Sequence, residues 1–312
     1  MLRAMDAPVS RTQPAAPPRT ARHAGIGAHV DAVTPGSPPL TPAMAQLLQR
    51  ICRAGRAPWR SLTPQQARLA YEVVAEVLDL PRAPLARVEQ VTFPARGDVP
   101  ALKARLYAVD HVPRPALLYL HGGGFVIGSP NTHDSLCRQL ALHSGCTVLS
   151  LAYRLAPEHR FPAAVFDTWA ALETLLDPPP AWRLRPGPCA VGGDSAGGTL
   201  AAVAALHARD RGWPLALQLL ITPGTAARPE HDSHRRYGQG FLLDRDDIAW
   251  FFDHALGEHG RRDDWRFAPL EADPEGVAPA CVLLAECDPR SSTRAWPTPT
   301  PCAAPACRCS WS

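Results

Sequence analysis

The apolar residues of this chain fall into two kinds of run that alternate along most of its length. Short continuous runs occupy Ala116–Leu120, Thr147–Ala152, Cys189–Gly192, Leu215–Thr222 and Cys281–Ala285. Runs of that length, bounded by Gly, Pro and polar residues, predict strands buried on both faces. Between them lie stretches with helical spacing, His133–Ser144, Pro162–Leu176 and Ala196–Arg209, and a loop at Ala181–Pro188. Strands that alternate with helices predict a mainly parallel sheet with helices on both faces. Val88–Phe93 and Ala101–Tyr107 read as two further strands, paired as a hairpin.

Two helices are predicted ahead of the strands. Met44, Leu47, Leu48 and Ile51 repeat at helical spacing within Thr41–Arg53. Thr63–Leu80 repeats the pattern, with Thr63 as N-cap, Pro64 at the first helical position and Gln66 placed to close a capping box. Pro223–Pro279 breaks the strand–helix alternation and carries Tyr237, Phe241, Trp250, Phe251, Phe252, Trp265 and Phe267. Asp244 is placed to cap a helix over Asp246–Leu256. Ordinary helix burial accounts for most of these aromatics.

Length and composition narrow the class. The 312 residues suffice for one α/β domain of ordinary size with an insertion. A formal charge of +3 is too small to argue for nucleic acid, and no apolar run is long enough for a membrane span. Residues 1–39 are rich in Pro, Ala and Arg, show no hydrophobic period, and lack the apolar core of a secretory signal. They read as disordered, or as unstructured residues added by an upstream start. An Arg-rich targeting leader would look similar. Of nine cysteines, Cys302, Cys307 and Cys309 lie in an unusual tail; the other six are scattered, mostly in apolar contexts. They read as reduced residues of a cytoplasmic protein, not as disulfides or a metal site. His231 and His234 are three apart, but no thiolate or carboxylate pattern converges on them, so they read as solvated loop histidines.

The chemistry centres on Gly192-Gly193-Asp194-Ser195-Ala196-Gly197-Gly198. This stretch joins an apolar strand to a helix of small residues, the setting of a Gly-x-Ser-x-Gly nucleophile elbow. Gly193 and Gly197 are the small neighbours such a turn needs. Taken alone, the pentapeptide is also compatible with a glycine-rich turn and an incidental serine. A second stretch, His121-Gly122-Gly123-Gly124-Phe125, follows the strand Ala116–Leu120 and lies 74 residues before Ser195. Its glycines let backbone N–H groups approach a ligand without a Cβ in the way. An HGGG-type loop in this place is the other half of the oxyanion hole of such enzymes.

The two motifs in this order, with Tyr153-Arg154-Leu155-Ala156-Pro157-Glu158-His159-Arg160-Phe161-Pro162 and the Gly-Asp-Ser-Ala-Gly form of the elbow, resemble the hormone-sensitive-lipase family of α/β-hydrolase carboxylesterases. The resemblance covers about residues 40–289. It implies an α/β-hydrolase fold in residues 40–289, with helical cap parts at about 40–80 and 223–268; a packing role for those helices is the alternative. It also implies a serine carboxylesterase acting on short-chain esters through an acyl-enzyme, with no cofactor. Ser195 is then the nucleophile. Gly122, Gly123 and Ala196 supply oxyanion N–H groups, and His121, Gly124 and Asp194 support the motifs. Asp288, after the strand Cys281–Ala285, is the triad acid, in the order Ser, Asp, His. The expected partner is a small-molecule ester, with no nucleic acid, membrane or metal involved; a homodimer is left open.

After Pro289 the resemblance ends. Residues 290–312 show no periodicity, and the last histidine of the sequence is His259, so no triad histidine follows Asp288. The family's C-terminal helix, strand and helix are accordingly expected to be missing. Back-translation of the tail into codons ending mostly in G or C opens another frame. From the base before the Ser291 codon it reads Leu-Val-Asp-Glu-Gly, then an amphipathic helix and the start of a strand. Joined to Asp288-Pro289, it gives Asp-Pro-Leu-Val-Asp-Glu-Gly, the family's segment at the triad acid. The tail thus reads as frame-shifted and disordered. The alternative is a natural variant tail, whose composition argues against a packed fold. A protein of this fold without its histidine would be a small-molecule binder, the rival to the esterase reading.

Overall fold

The computed structural model describes residues 40–55, 57–226, 228, 232–258 and 260–285. Seven strands form one sheet among these residues: β1 (Arg87–Phe93), β2 (Leu102–Ala108), β3 (Ala116–Leu120), β4 (Thr147–Leu151), β5 (Cys189–Asp194), β6 (Leu215–Ile221) and β7 (Ala280–Leu283). Their order across the sheet is β1-β2-β4-β3-β5-β6-β7. β1 and β2 form the expected antiparallel pair, and β2 also runs antiparallel to β4. Every pair from β4 to β7 is parallel. The fold is therefore α/β, with a mostly parallel sheet.

The helices explain why β3 and β4 are buried throughout. Every residue of β3 and β4 is buried. Alternate side chains of a strand face opposite ways, so each face of β3 enters a different core. Ala116, Leu118 and Leu120 pack into the core that holds α4 (Ala163–Thr174) and α5 (Ala196–Asp210). Leu117 and Tyr119 pack with Cys137 and Ala141 of α3 (Asp134–Ser144). On α5 every residue from Ala196 to Leu206 is buried, and seven of these eleven are Ala or Gly, so the helix lies close against the sheet. Gly198 sits so near Pro223 that an added Cβ would stand 3.0 Å from the proline Cβ.

The two N-terminal helices form as their spacing predicts: α1 (Pro42–Arg53) and α2 (Pro64–Leu78). Thr63 and Gln66 close the capping box, with Gln66 N donating to Thr63 Oγ1 at 3.2 Å and Thr63 N to Gln66 Oε1 at 3.0 Å. Arg68 ties α2 to the loops beneath it. It donates to the Val126 and Ala156 carbonyls, both at 2.8 Å, and pairs with Glu158 at 2.6 Å. These bonds hold the Glu158 carboxyl down to about 2. Arg154 pairs at 2.6 Å with Asp167 on α4, whose side chain is fully buried.

Two boundaries differ from expectation. β5 continues to Asp194 because its ladder with β6 runs on as far as Asp194 and Ile221. Within 223–279 a short helix, α6 (Asp232–Tyr237), precedes α7 (Arg245–Leu256); it is too short for a periodic signal. At the far edge β7 pairs only with β6 among the described residues. Leu217, Cys281 and Leu283 share one face there and are exposed. Asp288, the tail 290–312 and the segment 1–39 lie outside the described residues.

Candidate active site

β3 and β5 are neighbours, with Leu120 opposite Gly193. This pairing brings the glycine loop after β3 beside the turn after β5, although 74 residues separate His121 from Ser195. Ser195 has φ 54° and ψ −119°, a conformation that L-residues rarely adopt. Its surroundings hold it there. Ser195 N donates to the Ile221 carbonyl at 2.9 Å, and its own carbonyl accepts from Thr199 N at 3.0 Å and Gly224 N at 3.3 Å. Thr199 Oγ1 donates to the Gly224 carbonyl at 2.6 Å. Side chains at Gly193 or Gly197 would overlap the Leu120 carbonyl. That contact is the physical reason for glycine on both sides of the serine.

The glycine loop turns sharply, with φ 122° at Gly123, 60° at Gly124 and 65° at Phe125. Val126 N and Ile127 N close the turn on the Gly123 carbonyl at 3.1 and 3.0 Å. A Cβ on Gly124 would stand 2.5 Å from the Phe251 ring of α7. Among the described residues, no hydrogen bond takes the N–H groups of Gly123, Gly124 or Ala196. All three residues line one cavity with Ser195.

Gly122 differs from expectation. It does not line that cavity, and its N–H, expected to serve the oxyanion, donates to Asp194 Oδ1 at 3.0 Å. A peptide donor already committed to a carboxylate is not available to a substrate oxygen. The glycines that line the cavity with Ser195 are one residue further along, Gly123 and Gly124.

Behind the loop lies a polar cluster that sequence reasoning did not find. Asp194 Oδ1 also accepts from the Tyr119 hydroxyl at 2.8 Å and lies 3.1 Å from His133 Nε2. Burial disfavours the Asp194 carboxylate, but the adjacent His133 outweighs it and keeps its pKa below the ordinary value. Burial likewise disfavours charge on His133, and Asp194 outweighs it, raising the imidazole above its ordinary value. His121 is different. Burial and the neighbouring His133 push it down to about 3, so it is neutral, and its Nδ1–H donates to the Gly122 carbonyl at 2.9 Å. Its ring stacks on Tyr153, with centroids 4.3 Å apart.

The cavity holds about 400 Å³. Trp59 and Tyr71 line it from the N-terminal side, and Leu243, Phe251, Phe252 and Phe267 from the segment after β6. Its walls are thus mostly apolar. His234 also lines it. This residue, expected as a solvated loop histidine, is buried on α6 because the segment folds back over the serine; His231 lies outside the described residues. His207 stacks on Trp169 with ring centroids 4.0 Å apart, three turns along α5 from Ser195. No group of three or more His, Cys, Asp or Glu among the described residues is arranged to hold a metal ion. No helix among them is long and apolar enough to cross a membrane.

A mostly parallel sheet whose serine occupies a strained strand–helix turn, beside a glycine loop from the neighbouring strand, defines the α/β-hydrolase class. The chain belongs to that family, in its hormone-sensitive-lipase-like branch: the family model described as alpha/beta hydrolase fold matches residues 117–295. It is 36% identical over 266 residues to the ethyl acetate hydrolase of Pseudomonas putida, covering 80% of this chain and 82% of that protein. It is 42% identical over 186 residues to the carboxylic ester hydrolase LipN of Mycobacterium tuberculosis, covering 56% of this chain and 49% of LipN, so it spans about half of that relative. Among solved structures it resembles a hyperthermophilic esterase from Pyrobaculum calidifontis, with TM-score 0.76 and 37% identity over 81% of this chain and 82% of that one.

Proposed function

We propose that the chain is built as a serine carboxylesterase for short-chain esters. The observation that carries this is the strained Ser195 lining an apolar cavity together with Gly123, Gly124 and Ala196, whose N–H groups are uncommitted among the described residues. The names of the relatives support the same reading. Ser195 Oγ would add to the ester carbonyl and lose its proton to a base. The N–H groups of Gly123, Gly124 and Ala196 would hold the resulting oxyanion. Collapse would expel the alcohol and leave an acyl-serine, which water would then hydrolyse. The residues of 40–80 and 223–268 that wall the cavity would act as the cap and set the acyl fit.

Asp288 is the acid that would orient the base, and no histidine follows it in the sequence. Removing a triad member typically costs several powers of ten and leaves residual catalysis from the oxyanion hole. The chain as it stands is therefore expected to turn over slowly. The missing histidine also favours a second reading, a binder of small apolar esters in the same cavity. Two chains separate these readings: the present one, and one continued in the other frame from the Pro289 codon. The continued chain should gain aryl-ester hydrolysis that Ser195→Ala abolishes. Equal rates in both chains would show that another residue is the base. No turnover in either, with ester binding intact, would favour the binder.

A further inference from the structure

We infer that His133 is a positioning residue of the oxyanion hole: as a buried imidazolium paired with Asp194, it fixes Gly122 and thereby the free N–H groups of Gly123 and Gly124 opposite Ser195. This rests on the proposal that Ser195 accepts an acyl group.

The hydrogen bonds around the ring set its protonation. Thr132 Oγ1 has one hydrogen and donates it to the Ser129 carbonyl at 2.9 Å. Ser129 N–H points at the same hydroxyl from 3.0 Å and uses it as an acceptor. His133 Nδ1, 2.8 Å from that oxygen, must therefore donate to it. On the other side Nε2 faces both oxygens of Asp194, at 3.1 and 3.3 Å. A carboxylate accepts only, so Nε2 donates as well. A ring with two donating nitrogens is an imidazolium. Gly122 N also lies 3.4 Å from Nε2. With Nε2 a donor that contact is no hydrogen bond, and the Gly122 proton goes to Asp194.

Connectivity turns this pair into a brace. Asp194 directly precedes Ser195, and Gly122 directly precedes Gly123. One carboxylate therefore ties the residue before the nucleophile to the residue before the free donors. Among the described residues, only His133 supplies the opposing charge at that carboxylate; Tyr119 adds a neutral hydroxyl from β3. The imidazolium is itself packed between Tyr71 of α2, with ring centroids 6.3 Å apart, Tyr119 at 6.2 Å and His121 at 5.7 Å. Removing it would leave the Asp194 charge without a partner in a largely desolvated place. The carboxylate would then move toward water, or take up a proton, and in either case release Gly122.

The test combines three readouts. Ring ¹⁵N resonances of His133 in the unmodified chain at neutral pH should show both nitrogens protonated. In His133→Phe, with folding checked by near-UV circular dichroism, the Gly122 amide should exchange with solvent about 10-fold faster or more. Single-turnover acylation of Ser195 by p-nitrophenyl butanoate should slow at least about 10-fold, at an apparent affinity within about 3-fold, as a misplacement of under 1 Å at a reacting centre would produce. His133→Gln, which keeps an N–H donor toward Asp194, should recover part of both effects. A neutral His133 ring overturns the inference. So does a folded His133→Phe chain with unchanged Gly122 exchange and acylation. The resonance readout decides the matter if that variant does not fold. The ring and amide readouts also stand if Ser195 proves unreactive, so failure of the esterase reading would appear as absent acylation alone.

Discussion

Gly197→Ala tests whether the distance between the elbow and the glycine loop governs reactivity. Gly197 is the third residue of the serine turn, and its Cα faces the end of β3. A Cβ there would stand 2.5 Å from the Leu120 carbonyl carbon and 2.7 Å from the His121 oxygen, and closer still to the Leu120 oxygen. Ordinary contact begins at 3.4 Å and the Leu120 oxygen would lie far inside that distance, so the first turn of α5 and the start of the glycine loop must separate by more than about 1 Å; a shift of about 1 Å already costs about 100-fold in rate when reacting groups are misaligned. The overpacking itself costs about 1–3 kcal/mol of stability. No flexible side chain can absorb the insertion, because all three opposing atoms belong to the backbone. Acylation of Ser195 by p-nitrophenyl butanoate, followed by mass spectrometry, reads the rate, and a thermal melt reads the stability. A rate within 2-fold of the unmodified chain, with an unchanged melting temperature, would refute the account of the elbow.

The apolar cavity leads to a preference for butanoate over hexadecanoate aryl esters, and a clear preference for the long chain would contradict it. Asp167→Ala strands Arg154, whose main-chain N–H and guanidinium both lose their bonds to that carboxylate. Arg154 is partly solvated, so the cost is at the low end for a broken buried pair, about 3 kcal/mol. For a domain of this size that lowers Tm by about 6–12 °C, and a shift under about 2 °C would show the pair to be idle. The His133–Asp194 pair also makes stability depend on pH. The lowered Asp194 pKa contributes stability above the ordinary carboxylate value, and this is lost as pH falls through the folded value. The raised His133 pKa contributes below the ordinary imidazole value, lost as pH rises through its folded value. Tyr71, Tyr119 and His121 pack around the ring, and the negative charge of the Asp79 carboxylate favours its protonated form. The Tm deficit of His133→Phe should therefore be widest between about pH 4 and 6.5 and narrow on either side. A deficit independent of pH would show that His133 acts by packing alone.

What the sequence determined by itself is what local sterics and periodicity govern. A non-glycine residue held at positive φ between a strand and a helix needs glycines beside it, so the surroundings of Ser195 were legible in the pentapeptide. Five consecutive apolar residues at Ala116–Leu120 are enough to demand cover on both faces. The Thr63–Gln66 capping box is likewise complete within four residues. Three features were decided only in three dimensions. The commitment of Gly122 to Asp194 arises because β3 and β5 pair in register, and nothing within the His121–Phe125 loop distinguishes the first glycine from the second. His133 and Asp194 are 61 residues apart and become partners only when α3 packs beneath β3. His234 resembles any loop histidine until the segment after β6 folds over the serine and buries it. Each is a contact between distant stretches, set by the order of strands in the sheet, and strand order leaves no periodic mark on the residues that it brings together.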